Sequence, residues 1–225
     1  MRVDIWADVI CPWCGLGNKR LSDAIASFAH ADDVELVHHS FQLDPSFPPG
    51  ETMPVGEMLA AKGYPPDQLE ASQQRLEAMA AEEGMTPYRV RENRVGNTQL
   101  THEFLAYAVA HGRDDAWTAM YHAYFGDARN VFDLETLVEL AGELGLDQDD
   151  VRDALTSGRH RAEVLSDMRR AAQLGARGVP FVVIDGRYGV SGAQSREVFL
   201  SALDEAWETS DRVSSVADGD ACAID

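Results

Sequence analysis

The sequence lacks the features that mark several broad classes of protein. Its 225 residues contain no run approaching the roughly 18 consecutive apolar residues that a transmembrane helix needs. Basic residues are few, with 19 Lys and Arg against 38 Asp and Glu, and the net charge of -19 opposes binding to nucleic acid or anionic membranes. The 18 glycines and 9 prolines are too few for a collagen-like or disordered chain. We therefore expect a soluble globular protein with no nucleic-acid or membrane partner.

Cysteine is also scarce, and its placement is informative. Three cysteines cannot form a disulfide scaffold, but Cys11 and Cys14 form a Cys-x-x-Cys motif. Residues 1–8 are acidic and extended rather than signal-like, so we expect a cytoplasmic protein, in which this motif indicates metal binding or redox chemistry. A zinc site would need two more ligands, whereas the third cysteine, Cys222, lies in the tail and the histidines show no pair at ligand spacing. We expect no metal and no other cofactor.

The first forty residues predict a strand, a helix and a second strand. Residues 2–8 form a short extended run that leads directly into the cysteines, and Leu21, Ile25 and Phe28 then recur at helical spacing. Alternating residues from Val34 to Leu43 predict the second strand. A strand, helix and strand in so short a segment indicate a parallel pair of strands with a right-handed crossover.

The remainder of the chain is helical until strands return near its end. Caps and stops predict helices throughout the segment from about Met53 to Gly175. A strand is then predicted at Phe181–Ile184, and the Asp185–Gly186 turn favours a hairpin into Tyr188–Ser191 before a final helix. The predicted units are a discontinuous α/β domain, an inserted helical subdomain and a flexible acidic tail, at 1–44 with 176–210, 52–175, and 211–225 respectively.

The position of the cysteines predicts their chemistry. A thiol in the first turn of a helix lies near unpaired N–H groups and the positive end of the helix dipole, which favour thiolate and make Cys11 the nucleophile. Cys14, three residues later, could attack a mixed disulfide at Cys11 and release the substrate. Pro12 suits a helix start. Asp8 or Glu35, near the first two strands, could accept the proton of Cys14.

Other polar residues have simpler interpretations. His38 and His39 lie on the second strand, where we expect packed or partly exposed imidazoles rather than acid–base catalysts. Cys222 is most simply an unpaired thiol, although a tail could bring it to the active site. Its role stays open.

The order of the motifs resembles the DsbA-like branch of the thioredoxin superfamily, and within it the FrnE-type proteins. The resemblance spans about residues 2–207. It rests on Cys-Pro-Trp-Cys after the first strand and on four later matches: Phe41-Gln42-Leu43, Asn97-Thr98 with His102, Gly178-Val179-Pro180-Phe181-Val182-Val183, and the segment Asp185–Gln194. Cys-x-x-Cys alone is common, but its place between a strand and a helix, with Val-Pro before a later strand, is specific.

The resemblance implies a fold and a substrate groove. The fold would be α/β and thioredoxin-like, with a large all-helical insertion. The Val179–Pro180 bond would be cis and would lie against the disulfide, leaving the Val179 backbone to pair with an extended client. Pro12, Trp13, Val179 and Pro180 would therefore contact substrate.

The function that follows is thiol–disulfide exchange or isomerisation on protein or peptide disulfides. A low-molecular-weight thiol or a thioredoxin-type partner would recycle the pair. Exported DsbA proteins carry Pro-His between their cysteines, whereas this chain carries Pro12-Trp13. Without that histidine we expect a pair less oxidising than DsbA at about -120 mV, nearer the glutaredoxin range of about -200 to -230 mV.

Two alternatives remain open. Glutathione-dependent isomerases and kappa-class-like transferases share this architecture but generally carry serine where Cys11 stands. A chaperone-like module is the other alternative, in which a groove in the insertion holds exposed peptides and the cysteines are incidental.

Overall fold

The computed structural model describes residues 1–217, and the side-chain surroundings of residues 1–209. The strands are β1 (Arg2–Ala7), β2 (Glu35–Ser40), β3 (Thr52–Pro54), β4 (Arg94–Gly96), β5 (Phe181–Ile184) and β6 (Tyr188–Ser191). The helices are α1 (Pro12–Ser27), α2 (Val55–Ala61), α3 (Pro66–Glu82), α4 (Gln99–Ala110), α5 (Ala116–Tyr121), α6 (Leu134–Glu143), α7 (Gln148–Ser157), α8 (Arg161–Gln173) and α9 (Arg196–Ala217). A 3₁₀ turn covers Ala31–Asp33, and a π-helical turn, His122–Gly126, continues α5.

The main sheet is mixed, with strand order β2-β1-β5-β6. β1 pairs in parallel with β2, as predicted, and its other edge pairs antiparallel with β5. β5 and β6 form the expected hairpin. Asp185 and Gly186 at its turn have φ of 48° and 67°, and the pair of positive φ angles is what a tight two-residue hairpin turn needs.

Both faces of this sheet are covered, which makes β1 a buried central strand. Because side chains alternate along a strand, Val3 and Ile5 face α1 and α9, where they pack with Leu21 and Phe199. Trp6 lies on the opposite face and packs beside α8. The end of β1 that leads to the cysteines is therefore held on both sides.

The segment between β2 and β5 contains α2 to α8, and it confirms the predicted helical insertion with one difference. β3 and β4 pair antiparallel over three residues each. This two-stranded sheet was not predicted from the sequence, because its strands are too short to show alternation and one of them ends in Pro54. The aromatic and methionine residues of the insertion form its core, as expected from their helical spacing, including Phe104, Trp117 and Met120.

The last helix is longer than predicted. α9 continues to Ala217, whereas the sequence predicts a flexible tail from residue 211 onward. No proline or glycine interrupts this segment, so nothing in its local sequence stops the helix. The remainder of the predicted tail, with Cys222, lies outside the described residues. Within the described part of the chain, no helix is both long and apolar enough to cross a membrane.

Candidate active site

Cys11 and Cys14 lie where β1 passes into α1. Cys11 is the N-cap residue, in an extended conformation, and Pro12 opens the helix as predicted. The Cys11 carbonyl accepts hydrogen bonds from the N–H groups of Cys14 and Gly15, at 2.9 and 3.3 Å. Cys11 is 5% exposed and Cys14 is fully buried. Both cysteines are therefore buried, but only Cys11 keeps a small accessible area.

The cysteine pair meets the segment that precedes β5. The Cys11 thiol donates a hydrogen bond to the Val179 carbonyl at 3.7 Å. The Val179–Pro180 bond is cis, as the resemblance implied. The Pro180 carbonyl accepts a hydrogen bond from the Gly192 N–H at 2.9 Å, which fixes this loop to the end of β6. The structure thus brings Cys11 next to Val179, which is 168 residues later in the chain, and near the adjoining Pro180.

Burial and the neighbouring thiol act together on Cys14. Burial, and then the hydrogen bond and charge of Cys11, raise the pKa of Cys14 well above its ordinary value. A buried thiol held next to another sulfur resists ionisation because the thiolate would lose its hydration and meet a second negative charge. Cys14 therefore remains protonated at neutral pH when the pair is reduced.

Asp8 contacts the segment that carries the pair. Its side chain is fully buried, and its two oxygens have different partners: the Leu43 N–H at 2.7 Å and His102 Nε2 at 3.2 Å. Its carbonyl accepts the Cys11 N–H at 3.2 Å. Glu35 is placed elsewhere. It pairs with Arg2 at the opposite end of β1, so the interpretation of Glu35 as a proton acceptor for Cys14 is wrong.

Two glycines of α1 and one tyrosine belong to the site but were missed by sequence reasoning. A Cβ on Gly15 would lie 2.4 Å from the Tyr88 hydroxyl oxygen, and that hydroxyl donates to the Pro12 carbonyl at 2.6 Å. A Cβ on Gly17 would lie 2.9 Å from the Pro180 ring. Glycine inside a helix is unfavourable, so two glycines two positions apart were the available signal of a close approach.

His38 and His39 are packed side chains, as expected, and they hydrogen-bond to other polar side chains rather than to the thiols. His39 lies between Asp4 and Asp167 and stacks on Trp6. His38 pairs with Asn18 at 2.6 Å. Burial, and then the charge of His39, lower the pKa of His38 to about 4, so it is neutral at physiological pH.

A cavity of about 490 Å³ opens on the insertion side of Cys11. Pro12 and Trp13 line it, and Trp13 is 44% exposed. Val179 and Pro180 do not line it. The four predicted substrate-binding residues are therefore divided between two surfaces, both of which include Cys11. Among residues 1–209, no three Cys, His, Asp or Glu side chains are grouped closely enough to hold a metal ion.

This arrangement defines a class of protein. A cysteine pair at the start of a helix, after the central strand of a mixed sheet and opposite a cis-proline, is a thioredoxin-like site, here with a helical insertion between β2 and β5. Residues 2–204 match the model of the DSBA-like thioredoxin domain. The chain belongs to that family.

Individual relatives agree with this assignment. A crystal structure of a probable DsbA oxidoreductase from Streptomyces coelicolor has a TM-score of 0.87 and 44% identity, covering 100% of this chain and 93% of that one. The uncharacterized protein YwbO of Bacillus subtilis is 24% identical over 91% of this chain and 96% of its own length.

More distant structures share the fold alone. A 2-hydroxychromene-2-carboxylate isomerase has a TM-score of 0.70 at 18% identity, covering 95% of this chain and 99% of that one. The cytosolic disulfide reductase DsbM of Pseudomonas aeruginosa, with GSH, has a TM-score of 0.65 at 18% identity, covering 92% and 100%.

Proposed function

We propose that this protein catalyses thiol–disulfide exchange on disulfides of proteins or peptides, with Cys11 as the nucleophile and Cys14 as the resolving thiol. The observation that carries the proposal is the asymmetry of the pair. Cys11 keeps a small accessible area, lines an open cavity and contacts the Val179 carbonyl, whereas Cys14 is fully buried and has a raised pKa. A client can approach the Cys11 sulfur, whereas the buried Cys14 can react only with the Cys11 sulfur beside it.

The exchange takes two balanced steps. The Cys11 thiolate attacks one sulfur of the client disulfide, the client S–S bond breaks, and the other client sulfur leaves as a thiolate that takes a proton from solvent. Cys14 then loses its proton and attacks Cys11, which releases the second client thiolate and leaves a Cys11–Cys14 disulfide. Two electrons pass from the pair to the client, and the reverse sequence oxidises a client dithiol.

Asp8 is the proposed acceptor for the Cys14 proton. Its buried carboxylate is held by Leu43 and His102, and its charge acts on Cys14. A base is needed because the raised pKa of Cys14 opposes the second step. The side chain of His102 is fully buried, so this pair is shielded from competing solvent.

Substrate contacts divide between the two surfaces at Cys11. On one surface, the Val179 backbone would pair with an extended client and Pro180 would border the client. On the other surface, at the cavity, Pro12 and Trp13 would contact it. We place this activity in the cytoplasm, as an FrnE-type member of the family. A low-molecular-weight thiol or a thioredoxin-type protein would restore the pair after each turnover.

A glutathione-dependent isomerase is the second candidate function. The fold similarity to the 2-hydroxychromene-2-carboxylate isomerase favours it. Two cysteines oppose it, because an isomerase that only activates bound glutathione needs neither a thiol at position 11 nor a resolving Cys14.

Trapping the covalent intermediate tests the proposal. In a Cys222→Ala background, Cys14→Ala should still attack a peptide disulfide but should not resolve the product, so a mixed disulfide should accumulate and should dissolve on adding reductant. Intact mass measures the adduct, and Cys11→Ser should form none. The isomerase is favoured instead if Cys14→Ala traps nothing while the unaltered protein isomerises a small glutathione-dependent substrate. If Cys14→Ala forms the adduct only when Cys222 is also present, the assigned resolving pair is wrong.

A further inference from the structure

We propose that the cavity beside Cys11 selects clients. It binds a bulky apolar side chain that neighbours the reacting cysteine of the client, together with one peptide group of the client. Asn93 and Gln73 would bind that peptide group. This inference rests on the proposed function, since it names the class of client that the cysteine pair acts on. Val179 and Pro180 do not line the cavity, so it adds a second contact to the groove described above.

The size and lining of the cavity fit an apolar group. Its volume of about 490 Å³ is within the range of about 300 to 1,000 Å³ typical of ligand sites. Its walls come from α2, α3, β4 and the π-helical turn and are predominantly apolar: Val55, Met58, Leu59, Leu76, Val95 and Phe125. The charged pair at its edge, Lys62 and Asp44, is 3.7 Å apart and largely compensates itself.

Two buried amide side chains in the lining have unused hydrogen-bonding capacity. Asn93 is 4% exposed and Gln73 is 9% exposed. Neither Asn93 Nδ2 nor Asn93 Oδ1 has a partner among the described residues, and the same holds for Gln73 Nε2. Buried polar groups are normally paired, because leaving them unpaired costs free energy.

The chemistry of these groups indicates an amide as their partner. The side chain of Asn93 offers both a donor and an acceptor, which together complement the C=O and N–H of an amide. Its backbone carbonyl is already committed, since it accepts the Val55 N–H at 3.0 Å. The side chain is therefore the part of Asn93 that remains for a ligand.

The rim of the cavity indicates a chain rather than a small molecule. Trp13, Leu43 and Tyr64 line it and are 44%, 48% and 56% exposed. Large apolar side chains gathered at one exposed place mark an interaction surface. A peptide could lie across this rim with its cysteine at Cys11 and the neighbouring side chain in the cavity.

A series of peptide disulfides tests the selectivity. Each peptide carries one cysteine joined to a small leaving thiol, and the residue next to that cysteine is Trp, Leu, Ala or Asp. Attack by Cys11 joins the peptide sulfur to Cys11 and expels the leaving thiolate. We expect the Trp and Leu peptides to exchange at least about tenfold faster than the Ala peptide, which corresponds to burying a large side chain.

The outcomes separate the two proposals. Equal rates for all peptides would overturn the cavity inference and leave thiol–disulfide exchange intact, whereas no exchange with any peptide would overturn the proposed function. An amide-free indolyl disulfide gives the comparison with a small molecule. If it reacts as fast as the Trp peptide, the assignment to peptides is wrong.

Variants locate the selectivity in the cavity. Met58→Trp fills the space, so the ratio of the Trp-peptide rate to the Ala-peptide rate should fall towards one. Leu174→Trp is the matched control, because Leu174 is 41% exposed just after α8 and does not line the cavity. That variant should keep the ratio of the unaltered protein, and a similar fall in both variants would contradict the inference.

Asn93→Leu distinguishes a binding role from a structural one. Removing an unpaired buried amide should raise the thermal midpoint of unfolding. The exchange rate of the Trp peptide, relative to that of the amide-free indolyl disulfide, should fall about tenfold, because one well-made hydrogen-bonded contact is lost. A lowered midpoint with an unchanged rate ratio would show that Asn93 serves the fold and would overturn its assignment to the ligand.

Discussion

His39 joins the sheet to α8 through two carboxylates, and its removal should be costly. His39 Nε2 is 2.7 Å from Asp4 Oδ1, and His39 Nδ1 is 2.8 Å from Asp167 Oδ1. A carboxylate accepts hydrogen bonds, so both ring nitrogens must donate and the imidazole is charged. The side chains of His39 and Asp4 are 9% and 3% exposed. This is a buried ionic cluster.

The expected loss of stability in His39→Leu depends on which other partners Asp4 and Asp167 retain. Removing one partner of a buried ionic pair costs about 3 to 5 kcal/mol. Asp4 retains Arg2 at 2.9 Å, and Asp167 retains the Ser40 N–H at 2.9 Å. These partners place the expected loss in the free energy of unfolding at the lower end, about 3 kcal/mol.

The loss should depend on pH in a defined window. Burial opposes the charged form of His39, but hydrogen bonds to Asp167 and Asp4 outweigh it and raise its pKa above 6.5. The His39 contribution is therefore complete below its unfolded pKa and is lost as pH rises through its folded pKa. Burial also opposes ionised Asp4, yet Arg2 and His39 lower its pKa below 3.8, so its contribution is lost as pH falls through that lowered value.

Urea unfolding of the unaltered protein and His39→Leu measures this window. The difference in the free energy of unfolding should be largest near about pH 5.5, between the ordinary pKa values of Asp and His, and smaller near about pH 9. His122→Leu is the matched control, since its ion pair with Asp127 is on the surface, with His122 71% exposed. A loss below about 1 kcal/mol in His39→Leu, or one that does not change with pH, would refute the reasoning.

Two further predictions concern the cysteine pair. Gly17→Ala should destabilise the protein by about 1 to 3 kcal/mol and slow exchange, because the added methyl group meets the Pro180 ring. Gly56→Ala, where a Cβ meets nothing within 4 Å, should be neutral or mildly stabilising in the same thermal unfolding assay, and equal losses would contradict the close-approach argument. Alkylation of the reduced, folded Cys222→Ala protein should label Cys11 before Cys14, since Cys14 is fully buried, and preferential labelling of Cys14 would reverse the assigned roles.

The parts of the fold that the sequence predicts are those determined by local patterns. The Cys-Pro-Trp-Cys segment, its strand and its helix are contiguous, and the Asp185–Gly186 turn fixes its hairpin through backbone preferences alone. The resemblance added Val179 and Pro180 to the site. β3 and β4 were not predicted, because three-residue strands are defined by their partner rather than by their own sequence.

The rest of the site depends on contacts between distant residues. His102 meets Asp8 from 94 positions away, and Tyr88 meets Pro12 from 76 positions away. Periodicity does not report such pairings, because a buried histidine or tyrosine has the same local pattern as any core residue. The cavity has the same origin, since Asn93 and Gln73 come together only through packing of the insertion.

The midpoint potential of the Cys11–Cys14 pair tests the central claim most directly. A Cys222→Ala chain is equilibrated in thiol–disulfide buffers of known potential, free thiols are alkylated, and mass spectrometry counts them. The account predicts one two-electron transition in which Cys11 and Cys14 oxidise together, with a midpoint more reducing than about -120 mV and near about -200 to -230 mV. A chain in which these two cysteines form no disulfide at any potential would contradict it.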